Sequence, residues 1–164
     1  EDVLKRHLLD SLTLVRAVSF SEGMTVLDVG SGGGLPAIPL AIMRPDIFVT
    51  MVDAVKKKVL FLRQVILELR LKNAKAEHAR VENLEIDPVD LITSRAFASL
   101  KDNIELTKHL LKPTGCWCLM KGKFPKDEIA ELPNSVRLDK ILELQVPNSS
   151  FERHLVWIRT GEDA

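Results

Sequence analysis

Two features of the sequence have the residue types that bind a nucleoside. Glycine supplies four of the five residues at positions 30–34, directly after an apolar run. Glycine lets the backbone turn sharply and approach a ligand closely. Asp53 ends a second apolar run about 20 residues later, where a carboxylate suits the two hydroxyl groups of a ribose. We therefore expect Gly30, Gly32, Gly34 and Asp53 to bind a cofactor, and an alanine at position 53 to weaken that binding with little effect on folding.

The residues around the glycines favour S-adenosylmethionine over a dinucleotide. Residues 32–37 satisfy the pattern G-x-G-x-x-A of NAD-binding proteins, but in the register that starts at Gly30 the sixth position is Leu35. Asp28 lies two residues before Gly30, where an acid would crowd a pyrophosphate but could bind a cationic amino-acid group. A dehydrogenase is therefore the least favoured interpretation. In the simplest alternative, the glycines form only a tight turn and Asp53 is an ordinary acid at the end of a strand.

The residues after the predicted fourth strand, 93–97 (TSRAF), suggest what kind of acceptor is methylated. They contain neither the Pro-Pro-aromatic run typical of amino-group methylases of DNA nor a Pro-Cys pair for covalent attack on a pyrimidine. Because no general base stands nearby, we expect a nucleophile that needs no deprotonation, such as a purine ring nitrogen. Arg95 could hold the cofactor or the acceptor, or pair with an acid at the surface. Glu82, after the third strand, could accept a hydrogen bond from adenine or be solvated.

The hydrophobic pattern predicts an α/β fold, in which strands alternate with helices. Together with the cofactor inferred above, this is a class I methyltransferase fold. Because such alternation implies a parallel sheet, we expect a single α/β domain over residues 1–164, with a doubly wound, mostly parallel, seven-stranded Rossmann-like sheet. The last two strands have no helix between them and should form an antiparallel edge hairpin. The predicted strands are 25–30, 47–53, 74–79, 89–93, 115–120, 136–146 and 154–160, and the predicted helices are 2–19, 35–44, 56–71 and 101–111.

The composition is that of a globular protein without the surplus of basic residues that a strong nucleic-acid binder often has. The 164 residues include 23 basic and 23 acidic side chains, a balance that argues weakly against a strong nucleic-acid binder but allows a local basic face. No apolar run could span a bilayer and no signal peptide is evident, so we expect a cytoplasmic protein. Cys116 and Cys118 are interpreted as core thiols, with no metal site. Lys121 and Lys123 follow the fifth strand on the ligand side and are candidates for phosphate contacts.

Several of these segments closely resemble the RsmG family, also called GidB. Members of that family methylate the 7-position nitrogen of a guanosine in bacterial 16S ribosomal RNA. The resemblance covers essentially the whole chain. The segments that carry it are residues 6–11 (RHLLDS), 28–36 (DVGSGGGLP), 61–65 (FLRQV), 80–82 (RVE), 94–100 (SRAFASL), 121–122 (KG) and 152–155 (ERHL).

The resemblance implies roles for particular residues. Cofactor contacts are implied for Gly30, Leu35, Val81, Glu82 and Arg95, and a place beside the ribose for Asp53. It also implies that His7 and Asp10 line the mouth of the acceptor site, and we add Arg153 to the RNA-binding candidates. The partner implied is 16S ribosomal RNA, either naked or within an assembling small subunit. The family usually has a further helical stretch before the segment that matches Glu1, so we expect the chain to lack it. A small-molecule methyltransferase and a methyltransferase-like module that only binds cofactor remain alternatives.

Overall fold

The structure, a computed structural model, describes residues 2–95, 98–144 and 152–161, without the side chains of residues 2–7. Its elements alternate as the sequence predicts until the last two strands. The helices are α1 (Asp2–Ala17), α2 (Ala37–Met43), α3 (Lys56–Glu68), α4 (Leu100–Thr107) and α5 (Lys126–Ala130). The strands are β1 (Thr25–Val29), β2 (Phe48–Asp53), β3 (Ala74–His78), β4 (Val89–Arg95), β5 (Leu111–Lys121), β6 (Val136–Glu143) and β7 (His154–Thr160). Short 3₁₀ turns cover Val81–Asn83 and Lys108–Leu110.

The seven strands form one sheet in the order β3-β2-β1-β4-β5-β7-β6. The first five strands are parallel, and β7 pairs antiparallel with both β5 and β6. Strands β2 and β3 therefore extend the sheet on one side of β1, whereas β4 and β5 extend it on the other, and the strand order reverses between β1 and β4. In a doubly wound sheet that reversal opens a crevice at the carboxyl ends of the strands, where ligands bind. The predicted fold class is confirmed.

The central strands β1, β2, β4 and β5 are buried on both faces because their side chains alternate between two apolar layers. In β5, Trp117 packs with Leu27 and Ile92 on one face, whereas Cys118 packs with Val26 and Leu91 on the other. The indole Nε1 of Trp117 donates to Thr107 Oγ1 at 2.8 Å, which satisfies its only polar group inside the core. Burial raises the pKa of the Cys118 thiol well above its usual range. Cys118 is therefore a packing residue, in agreement with its interpretation from the sequence.

Several boundaries differ from the sequence-based expectation by two to four residues. Helix α4 ends at Thr107 and β5 already begins at Leu111, so Pro113 lies within a strand instead of ending a helix. The pairing of β4 with β5 shifts register between Val89 and Leu91, and a proline is tolerated beside such an irregularity. Helix α2 starts at Ala37, two residues later than predicted, because the residue before a proline disfavours helical angles. Helix α5 was not predicted, since five residues show no helical periodicity.

Within the described residues, no helix is long and apolar enough to cross a membrane.

Candidate functional site

The glycine loop after β1 turns under the end of β2 and is fixed by Asp53. One carboxylate oxygen of Asp53 accepts the N–H of Gly32 at 3.0 Å, and the other accepts the N–H of Val55 at 2.9 Å. The side chain is buried, with 8% exposed. Each oxygen keeps a further lone pair that a ribose hydroxyl could use. Asp53 therefore has a structural role that the sequence did not reveal, and the expectation that its removal would spare folding is not supported by these contacts.

The polar backbone of the loop is turned inward. Besides Gly32, the N–H groups of Gly30 and Ser31 donate to Val52 O, at 2.9 and 3.3 Å, and that of Gly34 donates to Ser31 O at 2.8 Å. A dinucleotide-binding loop needs N–H groups directed at the pyrophosphate. Because these four N–H groups already have partners inside the protein, the loop fits a cofactor without phosphates.

A cavity of about 310 Å³ opens beside this loop at the carboxyl ends of the strands. Its lining includes four of the residues predicted to bind the cofactor, Gly30, Asp53, Val81 and Glu82. Lys58 and Arg80 also line it and were not among the predicted residues. A larger cavity, about 650 Å³, lies at the opposite edge of the sheet, around Thr25 and Phe48. We assign the ligand to the smaller cavity because doubly wound sheets bind at the carboxyl ends of their strands.

The remaining predicted loop residues lie around the cavity without lining it. Leu35 is half-buried at the cis peptide bond that precedes Pro36. Gly34 has φ +86°, and a Cβ built on it would lie 2.7 Å from Ile38 Cγ1 and 3.1 Å from Leu62 Cδ2. Gly34 therefore allows α2 and α3 to pack against the loop, a role different from the cofactor contact we predicted for it.

Asp28 is a buried acid near the end of β1, and the sequence suggested that it could bind a cationic amino-acid group. One of its carboxylate oxygens accepts the hydroxyl of Ser31 at 2.7 Å, and the other is buried with no hydrogen-bond partner within the described parts of the chain. Burial raises the pKa of Asp28 to about 7, while the hydrogen bond from Ser31 and the charge of Arg95 oppose that rise. An acid of this kind can be stabilised by a cationic ligand placed beside it.

Arg95 ends β4 within a cluster of charges that also joins α1 to β7. Arg95 Nη2 lies 3.8 Å from Asp10 Oδ2, and Arg153 Nε donates to the same oxygen at 3.0 Å. Asp10 is 1% exposed. Burial lowers the pKa of Arg95 from its usual range, while the carboxylates of Asp10 and Asp28 oppose that effect. Arg95 thus carries a positive charge at the carboxyl end of β4 and is paired with an acid, which was one of the two interpretations expected. It does not line the cavity assigned to the cofactor.

The candidates for RNA contact have different surroundings. Arg153 is paired with Asp10, and Lys121 Nζ lies 3.0 Å from Glu128 Oε1. Lys123 is exposed in the loop between β5 and α5. The side chain of His7 lies outside the described residues. Lys123 is therefore accessible to an RNA phosphate, whereas Arg153 and Lys121 are each paired with an acid.

The residues present fit S-adenosylmethionine. Asp53 lines the cavity and can accept hydrogen bonds from the ribose hydroxyls. Asp28 is buried behind the lining, where its charge can stabilise a cationic amino-acid group, and the inward-facing N–H groups of the glycine loop do not require a phosphate. Val81 and Glu82 lie where they could border the adenine. Among the described residues, no group of three or more His, Cys, Asp or Glu side chains is arranged to hold a metal ion.

Solved structures of methyltransferases share the fold. A SAM-dependent methyltransferase from Aquifex aeolicus superposes with a TM-score of 0.71 at 20% identity, covering 93% of this chain and 90% of that one. TrmN from Thermus thermophilus gives a TM-score of 0.73, also at 20% identity, with 92% of this chain and 48% of that chain covered. The fold is therefore that of class I methyltransferases.

Sequence comparison identifies the family within that class. The chain belongs to the GidB family, rRNA small subunit methyltransferase G, whose model matches residues 1–156. It is 48% identical over 162 residues to the ribosomal RNA small subunit methyltransferase G of Leptothrix cholodnii, covering 97% of this chain and 74% of that protein. The protein of the same name from Neisseria meningitidis serogroup B is 48% identical over 157 residues, with 95% and 74% covered. The resemblance inferred from the sequence motifs is confirmed.

The raised pKa of Asp28 predicts that cofactor affinity depends on pH. A carboxyl whose pKa is about 7 when folded and 3.8 when unfolded stabilises the folded apoprotein at low pH, and that contribution is lost as pH rises from about 4 to 7. A cationic cofactor binds the ionised form. We therefore expect S-adenosylmethionine to bind roughly tenfold more weakly at pH 6 than at pH 8, with proton release on binding. Calorimetry in buffers of different ionisation enthalpy measures both quantities.

The matched variants for this prediction are Asp28→Asn and Asp87→Asn. The first keeps the shape of the protonated acid and should remove the pH dependence. The second changes an exposed acid at the opposite edge of the sheet and should keep it. An equal pH dependence in wild type and Asp28→Asn would assign the titration to another group.

Proposed function

We propose that this chain transfers the methyl group of S-adenosylmethionine to the 7-position nitrogen of a guanosine in bacterial 16S ribosomal RNA. The observation that carries the proposal is the 48% identity to named ribosomal RNA small subunit methyltransferases over nearly the whole chain. We further propose that residues 1–164 act as one methyltransferase domain in the cytoplasm, on RNA that is naked or part of an assembling small subunit.

The residues of the site divide into a cofactor side and an acceptor side. The glycine loop, Asp53, Val81 and Glu82 border the cavity assigned to the cofactor. Arg95 stands at the end of β4, nearer to α1 and β7. When bound, S-adenosylmethionine supplies a methyl group activated by its sulfonium. The chain's own contribution is to orient the two ligands, and alignment can supply much of the acceleration of such a transfer.

A guanine 7-nitrogen suits this site because it has a free lone pair at neutral pH. No side chain has to remove a proton before the new C–N bond forms. Asp28, the acid with a pKa near 7, is 1% exposed beneath the glycine loop and tied to Ser31, and Asp10 is held by Arg153. Their positions favour electrostatic roles over that of a general base. For contact with RNA phosphates we propose Lys123, whose side chain is exposed, and retain His7 and Arg153 as candidates.

The mechanism predicts a chemical step that is nearly independent of pH. At saturating cofactor and RNA, we expect the single-turnover rate to vary by no more than about twofold between pH 6.5 and 8.5, because no general base titrates. Saturation also removes the contribution of Asp28 to cofactor affinity. The measurement follows labelled methyl transfer to small ribosomal subunits, with the product nucleoside identified. A rate that rises about tenfold per pH unit would indicate a base and would contradict this mechanism.

A further inference from the structure

The segment directly after β4 that the structure describes, residues 98–100, is held by an ion pair from the next strand and helix. Lys121 Nζ, at the end of β5, donates to Ala98 O at 2.8 Å. The same ammonium lies 3.0 Å from Glu128 Oε1 on α5. That oxygen also accepts the N–H of Leu100 at 2.9 Å. The pair therefore contacts both ends of the segment, with a donor at Ala98 and an acceptor at Leu100.

The surroundings of the pair make these contacts tight. The side chain of Lys121 is 15% exposed and that of Glu128 is 32% exposed. Asn103, in α4, donates to Ala98 O and Ser99 O at 2.9 Å each, so Ala98 O accepts two hydrogen bonds. Leu100 is fully buried. Helix α5 has no fully buried residue. Its Ile129 packs against the core cluster that includes Leu100, and Glu128 adds the hydrogen bond to the start of α4.

The position of this segment connects it to the acceptor side of the crevice. Arg95 is the last residue of β4 and pairs in register with Met120, the neighbour of Lys121 in β5. The carboxyl ends of these parallel strands therefore lie side by side. Because Lys121 lies beside this strand end, we expect a shift of residues 98–100 to affect the end of β4, where Arg95 meets Asp10.

We propose that Lys121 and Glu128 are positioning residues that hold residues 98–100, which lead into α4, in place for methyl transfer. The proposal rests on the proposed function, because the acceptor is assigned to this side of the site. It gives Lys121 a role different from the phosphate contact suggested by the sequence. It also explains why a lysine on the ligand side of the sheet is largely buried and paired with an acid.

Single substitutions separate the positioning role from a phosphate contact. We expect Lys121→Met and Glu128→Ala each to lower kcat about tenfold or more, since small misplacements of reacting groups are costly. Affinity for S-adenosylmethionine and the salt dependence of RNA binding should change little. A phosphate contact instead predicts that Lys121→Met weakens RNA binding and reduces the salt slope by about one, with kcat retained at saturation. It also predicts no loss of kcat in Glu128→Ala.

Conservative and control variants test the hydrogen bonds themselves. Glu128→Gln keeps an oxygen acceptor for Leu100 and Lys121 and should retain most of kcat, as should Glu131→Ala, an exposed acid of the same region. The double variant Lys121→Glu/Glu128→Lys restores an ion pair of opposite sense. It should stay impaired, because Ala98 O then lacks its lysine donor and Leu100 N its acceptor. Recovery of kcat in the double variant would show that only the ion pair matters and that the hydrogen bonds to Ala98 and Leu100 do not, which would overturn the proposal.

Amide hydrogen exchange provides a readout that does not depend on catalysis. The Leu100 amide should exchange faster in Glu128→Ala than in wild type or Glu131→Ala, with global unfolding followed separately by denaturant titration. Faster exchange with unchanged kcat would show that Glu128 holds this segment without positioning the reacting groups, and would overturn the proposal. If the wild-type protein forms no 7-methylguanosine, the proposed function itself fails. The exchange result still shows whether Glu128 holds the Leu100 amide.

Discussion

Gly34→Ala is expected to lower the free energy of unfolding by about 2–4 kcal/mol. The residue has φ +86°, and an L-residue in the left-handed region costs about 1–2 kcal/mol. The added Cβ would also lie 2.7 Å from Ile38 Cγ1, and forcing extra volume into a packed core costs about 1–3 kcal/mol. Denaturant titration monitored by circular dichroism measures the change.

The neighbouring Gly33 provides the control for this substitution. A Cβ at Gly33 would have no atom within 4 Å, and its φ is not positive. Gly33→Ala should therefore change the free energy of unfolding by less than about 0.5 kcal/mol, as expected for a surface substitution. Equal stability of the two variants would show that the packing of α2 and α3 against the loop does not require a glycine at position 34.

Asp53→Ala is expected to weaken both the cofactor site and the fold. The substitution removes the acceptor of the Gly32 and Val55 N–H groups, and a hydrogen bond to a charged group contributes about 1.5–3 kcal/mol. We expect a loss of about 2 kcal/mol in the free energy of unfolding. Affinity for S-adenosylmethionine should fall about tenfold to a hundredfold, because the loop and the ribose contact are lost together. Denaturant titration and calorimetry measure the two effects.

Two other acids separate the contributions of Asp53. Glu82 lines the same cavity but is exposed, so Glu82→Ala should reduce affinity while leaving unfolding within about 0.5 kcal/mol of wild type. Asp87, at the opposite edge of the sheet, should affect neither quantity when changed to alanine. Normal affinity of Asp53→Ala for S-adenosylmethionine would show that Asp53 does not bind the cofactor.

The fold could be predicted because buried parallel strands give continuous apolar runs. All seven strands were found, and β7 was placed at its observed bounds, His154–Thr160. The errors fell where tertiary contacts override local signals. Pro113 ends helices in general, yet here it lies in β5 near a register shift. Met43 is apolar yet 56% exposed, since the type of a single residue at the end of a short helix does not show which face it occupies.

The cofactor site was predicted further than the acceptor site. Glycines and Asp53 are local signals tied to the ends of neighbouring strands, and the structure brings Gly32 and Asp53 into hydrogen-bond contact. The pairing of Asp10 with Arg153 links residues 143 positions apart, which no spacing in a single sequence reveals. Lys121 looked like a phosphate ligand because its position on the ligand side was predictable while its partner Glu128, in an unpredicted helix, was not.

The central claim is that this chain forms 7-methylguanosine in 16S ribosomal RNA, and mass mapping of nucleosides tests it most directly. The 16S RNA is compared between cells with and without the gene, and small subunits from the latter are then treated with the purified protein and S-adenosylmethionine. The account predicts that a 7-methylguanosine is missing without the gene and is restored by the treatment. Unchanged 7-methylguanosine in cells without the gene, or restoration of a different methylated nucleoside, would contradict it.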